Sequence, residues 1–293
     1  MSVLGLDFGG TNLKLATKLS GNPPDFLKKV PNHDLGKIPA ILAGFNGLDI
    51  TSVGVSCPGD IDYQEGRIKK SLRLGTNIPI ASIIREALDN QGLPVFLLND
   101  AQSATLAELH LGGGQKEDGF LFINLGSNPG GGVVLNGHLL LNSNGRNLGR
   151  VGHLCLNPNG PRCRCGKNGC WDTYLSAQSL VKAASAFLSQ EIPSPKEVQD
   201  LADAGDAGVQ QIWREYAWWL AQGVVDLTNF LGLQTAVIGG GIALAGKWLF
   251  DPLREKVSEL SRYPVAVYES QIEKRLASVY GATILAEKGY QGL

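Results

Sequence analysis

His153, Cys163, Cys165 and Cys170 form the pattern H-x9-C-x-C-x4-C. Three thiolates and one imidazole make a closed tetrahedral shell for Zn2+. Gly166 and Gly169 permit the tight loop that brings Cys165 and Cys170 to one ion. Ordinary buried cysteines beside a hydrogen-bonded histidine are the alternative. The polar, Lys/Arg-containing character of this loop speaks against it. Such a shell leaves no coordination position open, so the zinc is expected to be structural. Cys155 reads as packing, and Cys57 also lies outside the cluster.

Two carboxylates stand where apolar runs end. Asp7 sits at the end of the run at residues 3–8, two residues before the pair that opens Gly9-Gly10-Thr11. A carboxylate there suits a hydrated Mg2+ beside phosphates, because Mg2+ keeps most of its waters and takes few protein ligands. Thr11 can donate its hydroxyl to a phosphate. The plainer role for Asp7 is a turn residue capping its own backbone. Asn99-Asp100 lies between a buried strand at 95–98 and an Ala/Leu-rich helix at 101–109. Moving a phosphoryl group onto an alcohol needs an in-line hydroxyl and a carboxylate to accept its proton. Asp100 is placed for that, and Asn99 can hold a neighbouring hydroxyl. Asp100 also fits an N-cap, and the two roles are compatible.

Three glycine groups follow strands: Gly9-Gly10, Gly130-Gly131-Gly132 and Gly239-Gly240-Gly241. Glycine lets backbone turn sharply and approach a ligand closely. Successive N–H groups in such turns form anion-binding hollows. Each group alone also suits a hairpin turn. Neither G-x-x-x-x-G-K-[ST] nor G-x-G-x-x-G occurs, which removes the P-loop and Rossmann readings.

The elements that must position these residues alternate between strand and helix. Strands are expected at 3–8, 13–15, 52–56, 95–98, 120–125, 133–135 and 236–238, and helices at 79–88, 101–109, 176–187, 210–231 and 278–288. The polar, flexible stretch at 112–118 is the expected domain boundary. Each half opens with strand, glycine turn, strand. The chain has 293 residues and 38 glycines, against about 20 at average usage. It is 43% hydrophobic and 18% charged, a globular balance rather than a disordered one. Net charge is −1, so no basic excess exists to neutralise a duplex or an anionic membrane. Residues 1–10 lack the basic and apolar regions of a signal peptide, and a cytoplasmic location is expected. Residues 227–246 carry no charge, but their glycines and polar residues read as helix end, turn and strand rather than a membrane span.

Taken together, D-F-G-G-T at 7–11, C-P-G-D-I-D at 57–62, N-D-A-Q-S-A at 99–104, L-G-S-N-P-G-G-G at 125–132, G-H at 152–153, C-R-C-G-K-N-G-C at 163–170 and I-G-G-G-I-A at 238–243 resemble the ROK family. That family comprises repressors, open reading frames and sugar kinases. The resemblance runs from Gly5 to about Leu285. It implies an α/β actin-like ATPase (ribonuclease H-like) fold of two lobes with a nucleotide cleft between them. The smaller lobe would be residues 1–112, completed by the last helix at about 276–293. The larger would be 113–275, with the zinc loop and the adenosine-binding elements. The implied activity is ATP- and Mg2+-dependent phosphorylation of a hexose or hexose derivative, with glucose as default. Asp7, Gly9, Gly10, Thr11, Lys14, Ser127, Gly130, Gly131, Gly132, Gly239, Gly240 and Gly241 would hold the nucleotide. Asp100 would be the base, and Asn99, Asp100, Arg150, His153 and Asp172 would line the sugar. The same four zinc ligands and a homodimer or homotetramer are implied, with Trp218-Trp219 at the interface or in the core.

The chain departs from its relatives on the acceptor side. Kinases of the family usually read E-x-G-H, and here Arg150-Val151-Gly152-His153 stands. Arginine has donors only and cannot replace that acceptor, although it could pair with an anionic group. G-C-x-E becomes Gly169-Cys170-Trp171-Asp172, one methylene shorter, and G-T-G becomes Gly126-Ser127-Asn128, followed by Pro129. The expectation is a kinase with an unusual sugar or altered sugar contacts. The alternative is a non-catalytic or weakly active sugar sensor. Family repressors carry a helix-turn-helix before the kinase-like body. With the first strand expected at residue 3 and a net charge of −1, DNA binding is not expected.

Overall fold

Alternating apolar residues near the N-terminus build a hairpin. In a computed structural model of the chain, β1 (Ser2–Phe8) pairs antiparallel with β2 (Asn12–Leu19). The structure describes residues 2–9, 12–19, 22–31, 35–45, 47–142, 148–273 and 275–292, so Gly10 and Thr11 lie outside the described residues. β3 (Asp25–Pro31) extends the hairpin, while β4 (Ile50–Cys57) and β8 (Val95–Asn99) run parallel to β1, in the order β3-β2-β1-β4-β8. Leu6, Leu13, Leu15, Val53, Val55 and Leu97 are fully buried on this sheet. Burying such side chains contributes roughly 1.5–3 kcal/mol each. β5 (Asp60–Asp62), β6 (Arg67–Ser71) and β7 (Gly75–Ile78) form a separate three-stranded sheet that the pattern of residue types did not suggest.

The first compact unit comprises Met1–Gln115, His138–Leu148 and Arg275–Leu293. The chain first changes unit between Gln115 and Lys116. The segment at 138–148 returns to the first unit, which the sequence did not suggest. Its helices include α1 (Ile38–Leu42), α2 (Ile80–Ala87) and α3 (Asp100–Leu111). Pro79 stands just before α2, where no helical N–H is lost.

The last long helix of the chain, α9 (Ala277–Lys288), packs on α3, β1 and β4. Glycine sets how closely it can approach. A Cβ on Gly54 would lie 1.8 Å from the Ala282 carbonyl oxygen, and one on Gly281 1.7 Å from that of Ser103. A Cβ on Gly5 would lie 2.8 Å from the backbone N of Thr283. Several of the surplus glycines therefore serve helix packing rather than any ligand.

The second unit comprises Lys116–Gly137 and Gly149–Lys274. Its strands β9 (Phe120–Leu125), β10 (Gly130–Leu135), β12 (Thr235–Gly240) and β13 (Ala266–Glu269) lie in the order β10-β9-β12-β13; the short β11 (His138–Leu139) is counted with the first unit. Around them stand α4 (Asp172–Leu175), α5 (Ala177–Leu188), α6 (Pro195–Asp203), α7 (Ala207–Leu231) and α8 (Lys247–Leu260). The uncharged run at 227–246 becomes the end of α7, the left-handed Gly232 at φ +68°, β12 and a 3-10 turn. Among the described residues, no helix is long and apolar enough to cross a membrane.

The close approach of α9 makes a direct prediction. Gly281→Ala should lose about 2–3 kcal/mol of stability in denaturant titration, because a carbonyl cannot yield as a flexible side chain does. Gly44→Ala, with open space around the added methyl, should stay within roughly 0.5 kcal/mol. Equal melting of the two variants would refute the packing account.

Candidate functional site

Asp7 belongs to the central strand of its sheet and has a register partner on each side. Lys14 of β2 and Ser56 of β4 are those partners. Paired residues on neighbouring strands share a face, so the three side chains converge. Lys14 Nζ lies 2.8 Å from Asp7 Oδ2, and Ser56 donates its hydroxyl to Oδ1 at 3.0 Å. Asp7 is 3% exposed. A buried carboxylate needs such partners. Ser56 escaped the reading of residue types; a lone serine at the end of an apolar strand was the available signal. A Cβ on Gly9 would meet the Asn12 carbonyl oxygen at 3.1 Å.

At the end of β8 the chain turns directly into α3. The N-cap is Asn99, not Asp100. The Asn99 Oδ1 accepts from the Gln102 N–H at 2.7 Å, and the Asn99 N–H donates to Gln102 Oε1, completing a capping box. The Asn99 amide nitrogen is 3.5 Å from the Leu148 carbonyl oxygen. Asp100 is then the first helical residue. Its carboxylate accepts the adjacent Ala101 N–H at 3.0 Å. Asp100 keeps solvent access, yet protein atoms crowd round it. That desolvation, and then the charge of Asp7, push its pKa up to about 6. The thiol of Cys57, fully buried, is held far above its ordinary value by burial and then by the charges of Asp100 and Asp7. Asp7, Asp100 and Cys57 thus form one electrostatic group, and Cys57 stays a neutral thiol.

In the second unit, His153, Cys163, Cys165 and Cys170 present ligand atoms that all lie within 4.8 Å of one another. His153 Nδ1 is 3.8 Å from Cys163 Sγ, and the Cys165 and Cys170 sulfurs are 3.5 Å apart. A tetrahedral shell with Zn–S bonds of ~2.3 Å places its sulfurs about 3.8 Å apart. The loop is built for this spacing. Cys163 N–H donates to the Lys167 carbonyl at 2.8 Å, and Gly166 N–H back to that of Cys163 at 3.0 Å. Gly166 takes φ +94°, and at Gly169, φ +62°, a Cβ would lie 1.5 Å from the Asn157 carbonyl oxygen. Cys155 forms a bridge pair with Cys170, is exposed, and donates its thiol to the Asn168 carbonyl at 3.2 Å. Packing in a core is therefore not its role.

Trp171, next to Cys170, anchors this loop. It is fully buried and donates its indole N–H to the Trp219 carbonyl at 2.8 Å. Gly223 of α7 opens the space, since a Cβ there would meet the indole at 2.5 Å. Trp219 stacks on Tyr174 with ring centroids 3.8 Å apart, and Trp218 is partly exposed. The next residue, Asp172, is 7% exposed, accepts a hydrogen bond from Asn128 Nδ2, and has Arg164 Nη2 at 3.7 Å.

The glycine groups need correction. Gly130, Gly131 and Gly132 are residues of β10 paired with Asn124, Ile123 and Phe122, so the turn is 126–129. Ser127 is exposed on that turn. Gly131 is small for a packing reason. Its N–H donates to the Gly149 carbonyl, and a Cβ on it would meet the Phe122 oxygen at 2.8 Å. Gly239 and Gly240 end β12, and a Cβ on Gly240, φ +93°, would lie 2.2 Å from the Leu125 oxygen. Of these three, only Gly241 faces open space. Arg150 is exposed at the entry to a 3-10 turn, Val151–His153, and its carbonyl accepts the His153 N–H at 3.1 Å. A Cβ on Gly152 would meet the Pro129 oxygen at 2.8 Å, so this turn lies on Pro129.

A family model described as the ROK family matches residues 37–289. A glucokinase of Thermotoga maritima is 32% identical over 282 residues, covering 88% of this chain and 87% of its own. An N-acetylmannosamine kinase of Haemophilus influenzae is 31% identical over 283 residues, covering 93% and 90%. The crystal structure of a ROK hexokinase from Thermus thermophilus matches with a TM-score of 0.82 at 29% identity, covering 98% of each chain. The chain belongs to the ROK family, as a sugar kinase with its α/β actin-like ATPase fold.

The anchoring of Trp171 can be tested without any substrate. Gly223→Ala should displace the indole, cost about 1–3 kcal/mol, and make Cys170, now buried, react faster with a thiol reagent in metal-free protein. Unchanged thiol reactivity would show that the loop does not depend on this contact.

Proposed function

We propose that this chain transfers the γ-phosphoryl group of ATP to a hydroxyl of a hexose or hexose derivative, with glucose as the default acceptor. The observation that carries this reading is Asp100. It is a solvent-accessible carboxylate at a strand-to-helix junction, with a pKa raised to about 6. A general base works best with a pKa near the working pH. Asp100 accepts the proton of the sugar hydroxyl as its oxygen attacks the γ-phosphorus, and the bond from that phosphorus to the ADP oxygen breaks. Because Asn99 caps the helix, Asp100 is not tied to that task.

Asp7 fits a hydrated Mg2+, being an acceptor held by its strand neighbours, and Mg2+ when bound neutralises phosphate charge. Lys14 pairs with Asp7 and is suited to meet phosphate oxygens. Gly9, Gly10, Thr11, Ser127 and Gly241 complete the nucleotide side. For Gly130, Gly131, Gly132, Gly239 and Gly240, the strand placement supports a contribution through backbone alone.

The four-ligand cluster fits a structural Zn2+. Backbone donation from Lys167 draws the Cys165 thiol below its ordinary value, while burial and neighbouring thiols push Cys170 up to about 12. With His153 Nδ1 turned to Cys163, Nε2 would carry the proton and can donate to a sugar oxygen. Asp172 and the Asn99 amide supply further polar contacts. Arg150, which offers donors only, favours an acceptor bearing an extra oxygen or anionic group. A homodimer or homotetramer in the reducing cytoplasm agrees with the partly exposed Trp218 and the free thiols.

A coupled ADP-release assay over a panel of hexoses and N-acetylhexosamines should show turnover. Asp100→Asn should lower kcat by at least ~100-fold with ATP affinity nearly unchanged. In the unaltered chain, kcat/KM should rise with pH through about 6, because the base works only when deprotonated. ATP binding with no turnover on any sugar would favour the sugar-sensing alternative. Metal analysis of carefully purified protein should find one zinc per chain, and Cys165→Ser should lose it. Absence of stoichiometric zinc would end that assignment.

A further inference from the structure

Asn128 and Asp172 are distant in sequence, yet they meet. Asn128 lies in the turn between β9 and β10, and Asp172 opens α4 beside the cysteine loop. The Asn128 amide donates to Asp172 Oδ1, while Arg164 Nη2 stands 3.7 Å from Oδ2. Arg164 is 70% exposed, and a solvated pair at that distance holds a carboxylate weakly. Asp172 is buried and lies at the start of a four-residue helix. A short buried carboxylate rotates between rotamers unless a donor fixes it. Asn128 is the neutral donor that does so.

From this we infer that Asn128 is a positioning residue for the acceptor site. It holds the Asp172 carboxylate in one orientation and so helps determine which sugar hydroxyl that carboxylate accepts. The inference rests on the proposed kinase reading, in which Asp172 contacts the sugar.

The same contact spans two functions. Ser127, assigned to the nucleotide, is the neighbour of Asn128, and Asp172 follows two residues after the zinc ligand Cys170. Pro129, on the other side of Asn128, lies under Gly152 and hence under the turn carrying Arg150 and His153. Turn 126–129 therefore touches each segment to which the acceptor site is assigned in the second unit.

The test uses the full chain with the best sugar from the panel. Asn128→Ala should raise the sugar KM about tenfold, roughly the loss of one hydrogen bond to a charged group. The KM for ATP and the melting temperature should change little. Asn128→Asp keeps the shape but places a second negative charge against Asp172, and should raise the sugar KM further. Asp172→Ala combined with Asn128→Ala should be no worse than Asp172→Ala alone, because both act through one carboxylate. The preference between hexose epimers should shift in Asn128→Ala, a readout that simple loosening of the fold would not move. Unchanged sugar KM and preference, additive effects in the double variant, or an equal rise in the KM for ATP would each overturn the inference. If the unaltered chain turns over no sugar, the kinase reading fails. Sugar binding followed by tryptophan fluorescence then tests the pair, and equal affinity of the unaltered chain and Asn128→Ala, or no binding by either, overturns it.

Discussion

The close approach of α9 to β1, β4 and α3 is the constraint on which the first unit depends. Gly5, Gly54 and Gly281 let backbone meet backbone where any side chain would force a gap. Both carboxylates proposed for phosphoryl transfer leave from elements that α9 touches. Asp7 is the penultimate residue of β1, and Asp100 begins α3. Ser278 of α9 also donates its hydroxyl to the Asp100 carbonyl at 3.3 Å. Because packed interiors transmit small shifts, the last helix of the chain sets the spacing between residues near its start and its middle. That spacing matters electrostatically. The charge of Asp7 is one of the two causes that raise the pKa of Asp100.

The second unit uses a different device for the same end. Here a cysteine loop with little core of its own is pinned by Trp171 into α7, and the residue after the tryptophan is Asp172. The candidate metal ligand Cys170, the indole anchor and the proposed sugar contact are thus consecutive. A rearrangement of the loop at Cys170 would carry Asp172 with it. The same framework carries Asn128 on Asp172, Pro129 under Gly152 and Arg150 leading into the His153 turn.

Much of this was legible in residue types. The opening hairpin, the buried strands ending at Cys57 and Asn99, the long helix ending at Leu231 and the final helix follow from apolar periodicity with glycine and proline as punctuation. The small sheet of β5, β6 and β7 did not, because its strands are short and β6 and β7 are largely polar and exposed, leaving no apolar pattern to read. The cysteine cluster was legible because its ligands are close in sequence. Ser56 and the bond between Asn128 and Asp172 were not, because they depend on register and on contacts across long loops. The glycines were the hardest to read. A strand glycine such as Gly131 and a loop glycine look alike in sequence, and only the neighbour that a Cβ would strike tells them apart.

The sequence by itself determined the family, the Cys3His donor set and the carboxylates available for chemistry, since these depend on which groups are present and roughly how far apart. Tertiary structure alone decided that Asn99 rather than Asp100 caps α3, and that Asp7 lies between a lysine and a serine. It alone decided that most of the glycine triplets are strand backbone. The physical reason is that hydrogen bonding, desolvation and charge act through space over a few ångströms. Chain order does not record which distant residues folding brings within that range.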